Sequence, residues 1–139
     1  VAALAEDVYL TPGILGQAIV CEFLSRGLLE PQIERLRSVY QPRLNACLEA
    51  LEQHLPTVTY SRPDGGFFVS LELPLGLSGS VVREEATKNQ LLLTDGSAFF
   101  PNGGGERFLR LPFCTLNSSQ IADGISRLAR VIDVVGLKS

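Results

Sequence analysis

The 139-residue sequence contains no methionine, no tryptophan and a single histidine. With only His54 available, near the end of a predicted helix, a Ser-His-Asp arrangement has weak support. We expect His54 to face solvent or to interact with the C-terminal end of its helix. Because the chain lacks methionine, and no basic region precedes Val1–Ala5, we expect a truncated polypeptide rather than one beginning with an initiator residue or a secretory signal.

Long apolar runs and an excess of one charge are also missing. No run approaches the ~20 residues of a membrane-spanning helix, because Arg, Glu, Pro or Gly interrupts each one. The net charge of -3 comes from interspersed charges of both signs, without the basic stripe that nucleic-acid binding needs. With 45% hydrophobic residues the chain has enough apolar material for one globular core. We therefore expect a soluble domain that binds neither a membrane nor nucleic acid through this segment.

Patterns for disulfides and metal sites are equally scarce. The three cysteines, Cys21, Cys47 and Cys114, are odd in number, widely spaced and set among apolar residues. We expect reduced core thiols, which is typical of a cytoplasmic protein. The carboxylates show no metal-loop spacing, and the glycines at 103–105 lack the Lys-Ser/Thr of a phosphate-binding loop. We expect no metal site.

Hydrophobic periodicity predicts four helices. They span Ile14–Arg26, Pro31–Leu55, Ser80–Asn89 with Ser80 as the cap, and a last helix that follows Asn117, has an Asn117/Gln120 capping box and ends at Gly136. The first helix is apolar nearly all round, so it needs cover on more than one side. In the second helix, Pro42 removes a backbone hydrogen bond, which predicts a kink or a break into two helices.

Alternation and turn residues predict the strands. Thr57–Ser61 and Phe67–Leu73 flank a Pro- and Gly-containing turn and form a hairpin. A short buried strand at Leu91–Thr94 and a final strand at Arg107–Phe113 follow. The fold class is therefore α+β, a small mixed or antiparallel sheet covered by helices. We expect residues 1–30 to be an interdomain remnant with a helix and residues 31–139 to form the domain.

Arg110 in the final strand is the main candidate for chemistry. Leu109 and Leu111 share one face by alternation and suit the core, which leaves Arg110 and Phe108 on the opposite face. Arg110 is then either an exposed residue on a half-solvated sheet or a guanidinium that grips a carboxylate with two parallel hydrogen bonds. Periodicity alone leaves both interpretations open.

Four segments together resemble the C-terminal part of class I/II, fold-type I aminotransferases, which depend on pyridoxal phosphate. They are Pro63–Val69 (PDGGFFV), Asp95–Pro101 (DGSAFFP), Phe108–Phe113 (FLRLPF) and Gln120–Leu128 (QIADGISRL). The resemblance covers nearly all the chain in the right order. Within the family, the sequence is most similar to the group containing valine-pyruvate, 2-aminoadipate and aromatic amino acid aminotransferases, so residues 31–139 are expected to be the C-terminal small domain.

The resemblance implies roles for three residues. Arg110 matches the arginine that binds the substrate α-carboxylate. Phe99 and Phe100 fall in a loop that in this family approaches the substrate side chain and the domain cleft, although simple packing within the loop explains them equally well. Asp95 departs from the family pattern, which commonly has proline there, and puts the rigidity of the loop and the substrate preference in question.

The resemblance also implies what the chain lacks. Aminotransfer needs a lysine that forms a Schiff base with pyridoxal 5'-phosphate and then transfers the proton. Lys88 and Lys138 are the available lysines, and both are expected on the surface. No catalytic and no cofactor-binding residue is therefore expected in this chain. They would lie in a missing N-terminal large domain of an enzyme, expected to be a homodimer, that exchanges an amino group between an amino acid and a 2-oxo acid.

Two other functions stay open from sequence. The same fold occurs behind a winged-helix DNA-binding domain in aminotransferase-like transcription regulators that use the cofactor to sense ligands. A free-standing interaction module is the third possibility, and it requires a natural start near Val1.

Overall fold

A computed structural model describes residues 13–137 of the chain. The elements are α1 (Ile14–Ser25), α2 (Leu29–His54), β1 (Thr59–Tyr60), β2 (Phe68–Glu72), α3 (Gly79–Lys88), a 3₁₀ turn at Ser97–Phe99, β3 (Phe108–Pro112) and α4 (Ser118–Gly136). The predicted α+β class is confirmed. The chain divides into two compact units, Val1–Ser38 and Val39–Ser139.

The first unit contains α1, which has no buried residue. The helix ends one residue before the predicted Arg26, and Ile14 and Leu15 are 81% and 74% exposed. Cys21 is exposed as well, so the prediction of a core thiol is wrong at this position. An apolar sequence around a cysteine indicates burial only where other elements cover the helix. None of the helices described between residues 13 and 137 is long and apolar enough to cross a membrane.

Helix α2 runs through Pro42 as one helix, so of the two predicted outcomes, a kink or a break, the break into two helices does not occur. Beyond Val39 this helix buries a stripe made of Leu44, Cys47, Ala50 and Leu51. Burial of Leu44 and Leu51 contributes roughly 1.5–3 kcal/mol each, which can offset the roughly 3 kcal/mol cost of an interior proline.

The sheet has three antiparallel strands in the order β1-β2-β3. Tyr60 pairs with Leu71 across β1 and β2, which confirms the predicted hairpin in a shorter form. Ser70 lies opposite Arg110 across β2 and β3, and Leu71 lies opposite Leu109. This register places apolar residues together on one face and Ser70 with Arg110 on the other.

The core lies between the apolar face of the sheet and the helices of the second unit. Val69 and Leu71 of β2, and Leu109 and Leu111 of β3, are buried, as alternation predicts. Helix α4 adds its predicted stripe to the same core: Ile121, Ile125, Leu128, Ile132 and Val135. The capping box of Asn117 and Gln120 is confirmed, with the Gln120 amide donating to Asn117 Oδ1 at 2.9 Å.

The predicted strand at Leu91–Thr94 is wrong. The chain leaves α3 through Gln90, which has a positive φ of 56°, and the Leu91 amide donates to the Ala86 carbonyl at 2.9 Å. Leu92 is 90% exposed. A strand needs a hydrogen-bonded partner, and among residues 13–137 the sheet of β1, β2 and β3 does not pair with this segment. An apolar run indicates burial, but it does not show whether a neighbouring strand is available for hydrogen bonding.

The predicted cap of α3 is also wrong. The helix begins at Gly79, and Ser78, not Ser80, is its N-cap residue. Ser78 makes no capping hydrogen bond with its side chain. The Gly79 amide donates to the Glu106 carbonyl at 2.7 Å, so a tertiary contact satisfies the first N–H group of the helix.

Candidate functional site

The face of the sheet opposite the core carries the candidate residues. Phe68 and Ser70 on β2, with Phe108 and Arg110 on β3, are all half-buried, while the residues that alternate with them are buried. The position predicted for Arg110 by alternation is therefore confirmed. Its role as a substrate-binding residue is a separate question.

The Arg110 guanidinium lies between two phenylalanine rings. Its Cζ atom is 3.6 Å from the centroid of the Phe68 ring and 4.6 Å from that of the Phe99 ring. Both distances are within the range of cation–π attraction, which limits the rotamers of the side chain. An arginine fixed in this way presents its N–H groups in a defined direction.

No carboxylate pairs with Arg110 among residues 13–137, although neighbouring arginines are paired. Arg107 forms an ion pair with Glu72 and donates to the Leu73 carbonyl at 2.8 Å. Arg83 pairs with Asp95 at 2.8 Å. Arg110 therefore keeps donors and charge that an external carboxylate can use.

Phe99 and Phe100 belong to the loop between α3 and β3 and pack over the same face. Their rings lie 6.4 Å and 5.2 Å from the Phe108 ring, at interplanar angles of 65° and 73°. These edge-to-face contacts are favourable for aromatic pairs. Phe99 is still 44% exposed and Phe100 38% exposed. The structure thus brings the three predicted residues, Arg110, Phe99 and Phe100, together on one surface. The two phenylalanine rings pack against Phe108 on one side and remain accessible on another.

Two glycines allow close contacts of this loop, Gly96 with β3 and Gly105 with the ring of Phe100. At Gly96 an added Cβ would be 1.8 Å from the Phe108 carbonyl oxygen. At Gly105 the backbone has a φ of +78°, and an added Cβ would be 2.3 Å from Cδ2 of Phe100. At Gly96 the close approach alone requires glycine, since its φ is -74°, whereas at Gly105 the positive φ requires it as well. The glycines therefore have a structural role, since larger residues at these two positions would displace the loop or the Phe100 ring.

The carboxylate of Asp95 orders the start of the loop. Asp95 Oδ1 accepts hydrogen bonds from the Ser97 amide at 3.0 Å, from Ser97 Oγ at 2.8 Å and from Arg83 Nη1 at 2.8 Å. The hydrogen bonds from Ser97, with a smaller effect of the Arg83 charge, lower the pKa of Asp95. Sequence reasoning missed this role, although Asp followed two residues later by Ser is typical of a side chain that bonds its own turn.

Lys88 is the lysine that residues 13–137 contain, and its surroundings differ from those of a Schiff-base lysine. Lys88 is exposed and pairs with Glu84 and Glu85 at 3.1 Å and 3.5 Å. The hydrogen bond to Glu84 and the two negative charges raise the pKa of Lys88, whereas a Schiff-base lysine needs a neutral amine. Lys138 lies outside the described residues. Between residues 13 and 137, no group of three His, Cys, Asp or Glu side chains is placed to hold a metal ion.

Comparison with known proteins identifies relatives of this arrangement. The chain is 42% identical over 120 residues to the 2-aminoadipate transaminase of Thermus thermophilus, covering 86% of this chain and 30% of that protein. It is 32% identical over 128 residues to aromatic-amino-acid aminotransferase 1 of Thermococcus litoralis, covering 91% and 31%. An uncharacterized HTH-type transcriptional regulator of Bacillus subtilis, YdfD, is 28% identical over 119 residues, covering 85% of this chain and 24% of the regulator. No family model matches the sequence.

Solved structures agree with the sequence relatives. The α-aminoadipate aminotransferase LysN from Thermus thermophilus, complexed with N-(5'-phosphopyridoxyl)-L-leucine, superposes with a TM-score of 0.87 and 38% identity. The match covers 99% of this chain and 35% of LysN, so the chain spans about a third of the length of its relatives. Apart from the regulator, these relatives and the structural neighbour are fold-type I, pyridoxal-phosphate-dependent aminotransferases, and the chain matches their C-terminal small domain.

Proposed function

We propose that the chain is the substrate-binding small domain of a pyridoxal-phosphate-dependent aminotransferase. Residues 31–139 form the domain, and residues 1–30 belong to the connection to a large domain that precedes them in the intact enzyme. That enzyme exchanges an amino group between an amino acid and a 2-oxo acid, as a cytoplasmic homodimer. The 42% identity to a 2-aminoadipate transaminase supports this reaction class.

The observation that carries the proposal is the unpaired guanidinium of Arg110. It is half-buried on a strand, lies between the Phe68 and Phe99 rings, and has no carboxylate partner within residues 13–137. An α-carboxylate fits the planar fork of an arginine with two parallel hydrogen bonds. We infer that Arg110 binds the substrate carboxylate and so fixes the orientation of the amino acid.

Phe99 and Phe100 contribute the apolar part of the same surface. Both rings remain more than a third exposed after packing on Phe108, so they offer contact area to a ligand held at Arg110. We propose that they border the substrate side chain and help to exclude water when the large domain closes over this face.

The cofactor must be held by other parts of the intact enzyme. Pyridoxal phosphate supplies the electron sink for this chemistry when bound. Lys88 does not fit covalent attachment, because its amine is exposed and its charge is stabilised by Glu84 and Glu85. The described residues of this chain therefore bind and orient substrate, and the isolated chain is expected to be inactive.

The similarity to YdfD favours one alternative, a ligand-sensing domain fused to a DNA-binding domain. If this chain were such a domain, Arg110 would bind the carboxylate of a regulatory amino acid without turnover. A direct experiment separates the two functions. The full-length polypeptide, loaded with pyridoxal phosphate, is given single amino acids together with a 2-oxo acid acceptor, and the new 2-oxo acid is quantified.

Repeated turnover, with product accumulating beyond one equivalent per subunit, is the result that the aminotransferase proposal requires. Cofactor-dependent binding of the amino acid without turnover, together with specific DNA binding, would establish the regulator instead. If the protein showed no turnover and did not bind an amino acid, both proposed functions would be contradicted. The 139-residue chain assayed alone is the matched control, and it should release no product.

A further inference from the structure

We propose that Asp95, held by Arg83, is a positioning residue that keeps Phe99 stacked on Arg110 and thereby prepares Arg110 for a carboxylate ligand. This inference rests on the proposed binding role of Arg110. It gives a function to the residue at which the sequence departs from the proline common in the resembling family. We call the contacts of Arg83, Asp95 and Ser97 the latch.

The latch connects the first residues of the loop to α3. One carboxylate oxygen, Asp95 Oδ1, accepts hydrogen bonds from the Ser97 amide, from Ser97 Oγ and from Arg83 Nη1. Arg83 is itself fixed, with its side chain 26% exposed and its neighbours Val82 and Ala86 fully buried in the core. The two bonds from Ser97 hold the carboxylate within its own turn, and the charge-assisted bond from Arg83 joins that turn to α3.

The restraint reaches Phe99 through a short and ordered path. The Phe99 amide donates to the Gly96 carbonyl at 3.1 Å, and the Phe100 amide donates to the Ser97 carbonyl at 3.0 Å. These bonds form the 3₁₀ turn Ser97–Phe99, whose first residue is the one that Asp95 binds. Fixing Ser97 therefore restrains the backbone of Phe99, whose ring then lies against Phe108 and Arg110.

Phe99 supplies the second ring that contacts the guanidinium, 4.6 Å from Cζ of Arg110, in addition to Phe68 at 3.6 Å. Phe68 lies on β2 and its place is set by the sheet, whereas Phe99 depends on the loop. With both rings in place the guanidinium has few rotamers left before any ligand binds, so less freedom is lost on binding. Releasing the latch should therefore weaken carboxylate binding without removing any group that touches the ligand.

The first test is spectroscopic and uses the 139-residue chain. The two aromatic rings stacked near the Arg110 guanidinium shield its side-chain protons, so the Arg110 Nε–H resonance should lie upfield of its usual position. In Asp95→Ala that resonance should move downfield, toward the value of an exposed arginine. The matched control is Asp123→Asn, which breaks the Arg127–Asp123 ion pair on α4, also 2.8 Å long, and should leave the resonance unchanged. An unchanged Arg110 resonance in Asp95→Ala would overturn the latch.

The second test is kinetic and uses the full-length enzyme. Asp95→Ala should lower kcat/KM for the amino acid by about 10-fold, mainly through KM, because the loss concerns binding in ground and transition state alike. Asp95→Asn keeps an acceptor for Ser97 but loses the charge that pairs with Arg83, so its loss should be smaller. Asp123→Asn should match the unsubstituted enzyme.

The outcomes separate this inference from the proposed function. If the full-length protein turns over no amino acid, the proposed function fails, and the Arg110 resonance alone still decides whether the latch exists. If the enzyme is active and Asp95→Ala behaves like Asp123→Asn, the positioning role is wrong. A loss confined to kcat, with KM unchanged, would also contradict it.

Discussion

Replacement of Gly96 by alanine is a sharp test of how the loop is seated on β3. The new Cβ would lie 1.8 Å from the Phe108 carbonyl oxygen, 2.6 Å from its carbonyl carbon and 2.9 Å from Cδ1 of its ring. An ordinary carbon–oxygen contact is roughly 3.3 Å, so the loop must move by about 1.5 Å. The obstacle is backbone, which cannot rotate away. Overpacking of this kind costs about 1–3 kcal/mol.

Urea unfolding of the 139-residue chain, followed by circular dichroism, measures this cost. Gly65→Ala is the matched control, because nothing lies within 4 Å of an added Cβ there and its φ is not positive. Gly65→Ala should change the free energy of unfolding by less than about 0.5 kcal/mol. Equal stability of the two variants would show that the loop does not lie on β3 as described, and would remove the basis for placing Phe99 beside Arg110.

Three further predictions concern the same chain. Asn117→Ala removes the side-chain half of the capping box and should lower the free energy of unfolding by about 1 kcal/mol in urea titration; a change near zero would contradict the cap. Burial raises the pKa of Cys47 to about 11, so its reactive thiolate is scarce below that pH, and iodoacetamide at pH 8 should alkylate exposed Cys21 far faster, as mass spectrometry of peptides can show. Equal alkylation rates of Cys21 and Cys47 in the folded chain would refute this prediction. In the unfolded chain the two rates should be equal. Amide hydrogen exchange should be faster across Asp95–Gly105 than in α4, because the amides of the loop are bonded within short turns whereas α4 packs on the core, and the reverse order would contradict this assignment.

Local patterns predicted the parts of the fold that local interactions determine. The stripe from Ile121 to Val135 and the Asn117 cap are set by helical spacing and one turn of backbone, so α4 was predictable. Alternation placed Arg110 on the outer face for the same reason, because a strand with one buried face has no other register. The hairpin followed from its turn residues.

The errors came from partners that a sequence does not display. The pattern of Leu91–Thr94 predicts a buried strand, but this segment has no hydrogen-bonded neighbour in the described sheet. Ser80 is not the cap of α3, because the helix begins at Gly79, whose amide contacts Glu106. Cys21 is exposed because no other element covers its face of α1 in the described residues. Each outcome depends on a distant segment, which periodicity does not report.

The site was predictable in part. Arg110, Phe99 and Phe100 were singled out from the sequence, and the structure brings them together. Phe68 was missed as a stacking partner, although it alternates onto the polar side of β2, where the register with β3 places it diagonally across from Arg110. Pairing the two outer faces strand by strand would have found this contact.

The central claim, that Arg110 grips a substrate carboxylate, is tested most directly by Arg110→Lys in the full-length enzyme. Lysine keeps the charge but loses the two-pronged geometry, so kcat/KM for the amino acid should fall by at least ~10²-fold, about 2.7 kcal/mol of transition-state stabilisation. An amine substrate without a carboxylate should lose much less, and the free energy of unfolding should change little. Equal losses for both substrates, or unfolding of the variant, would show that Arg110 is structural and contradict the account.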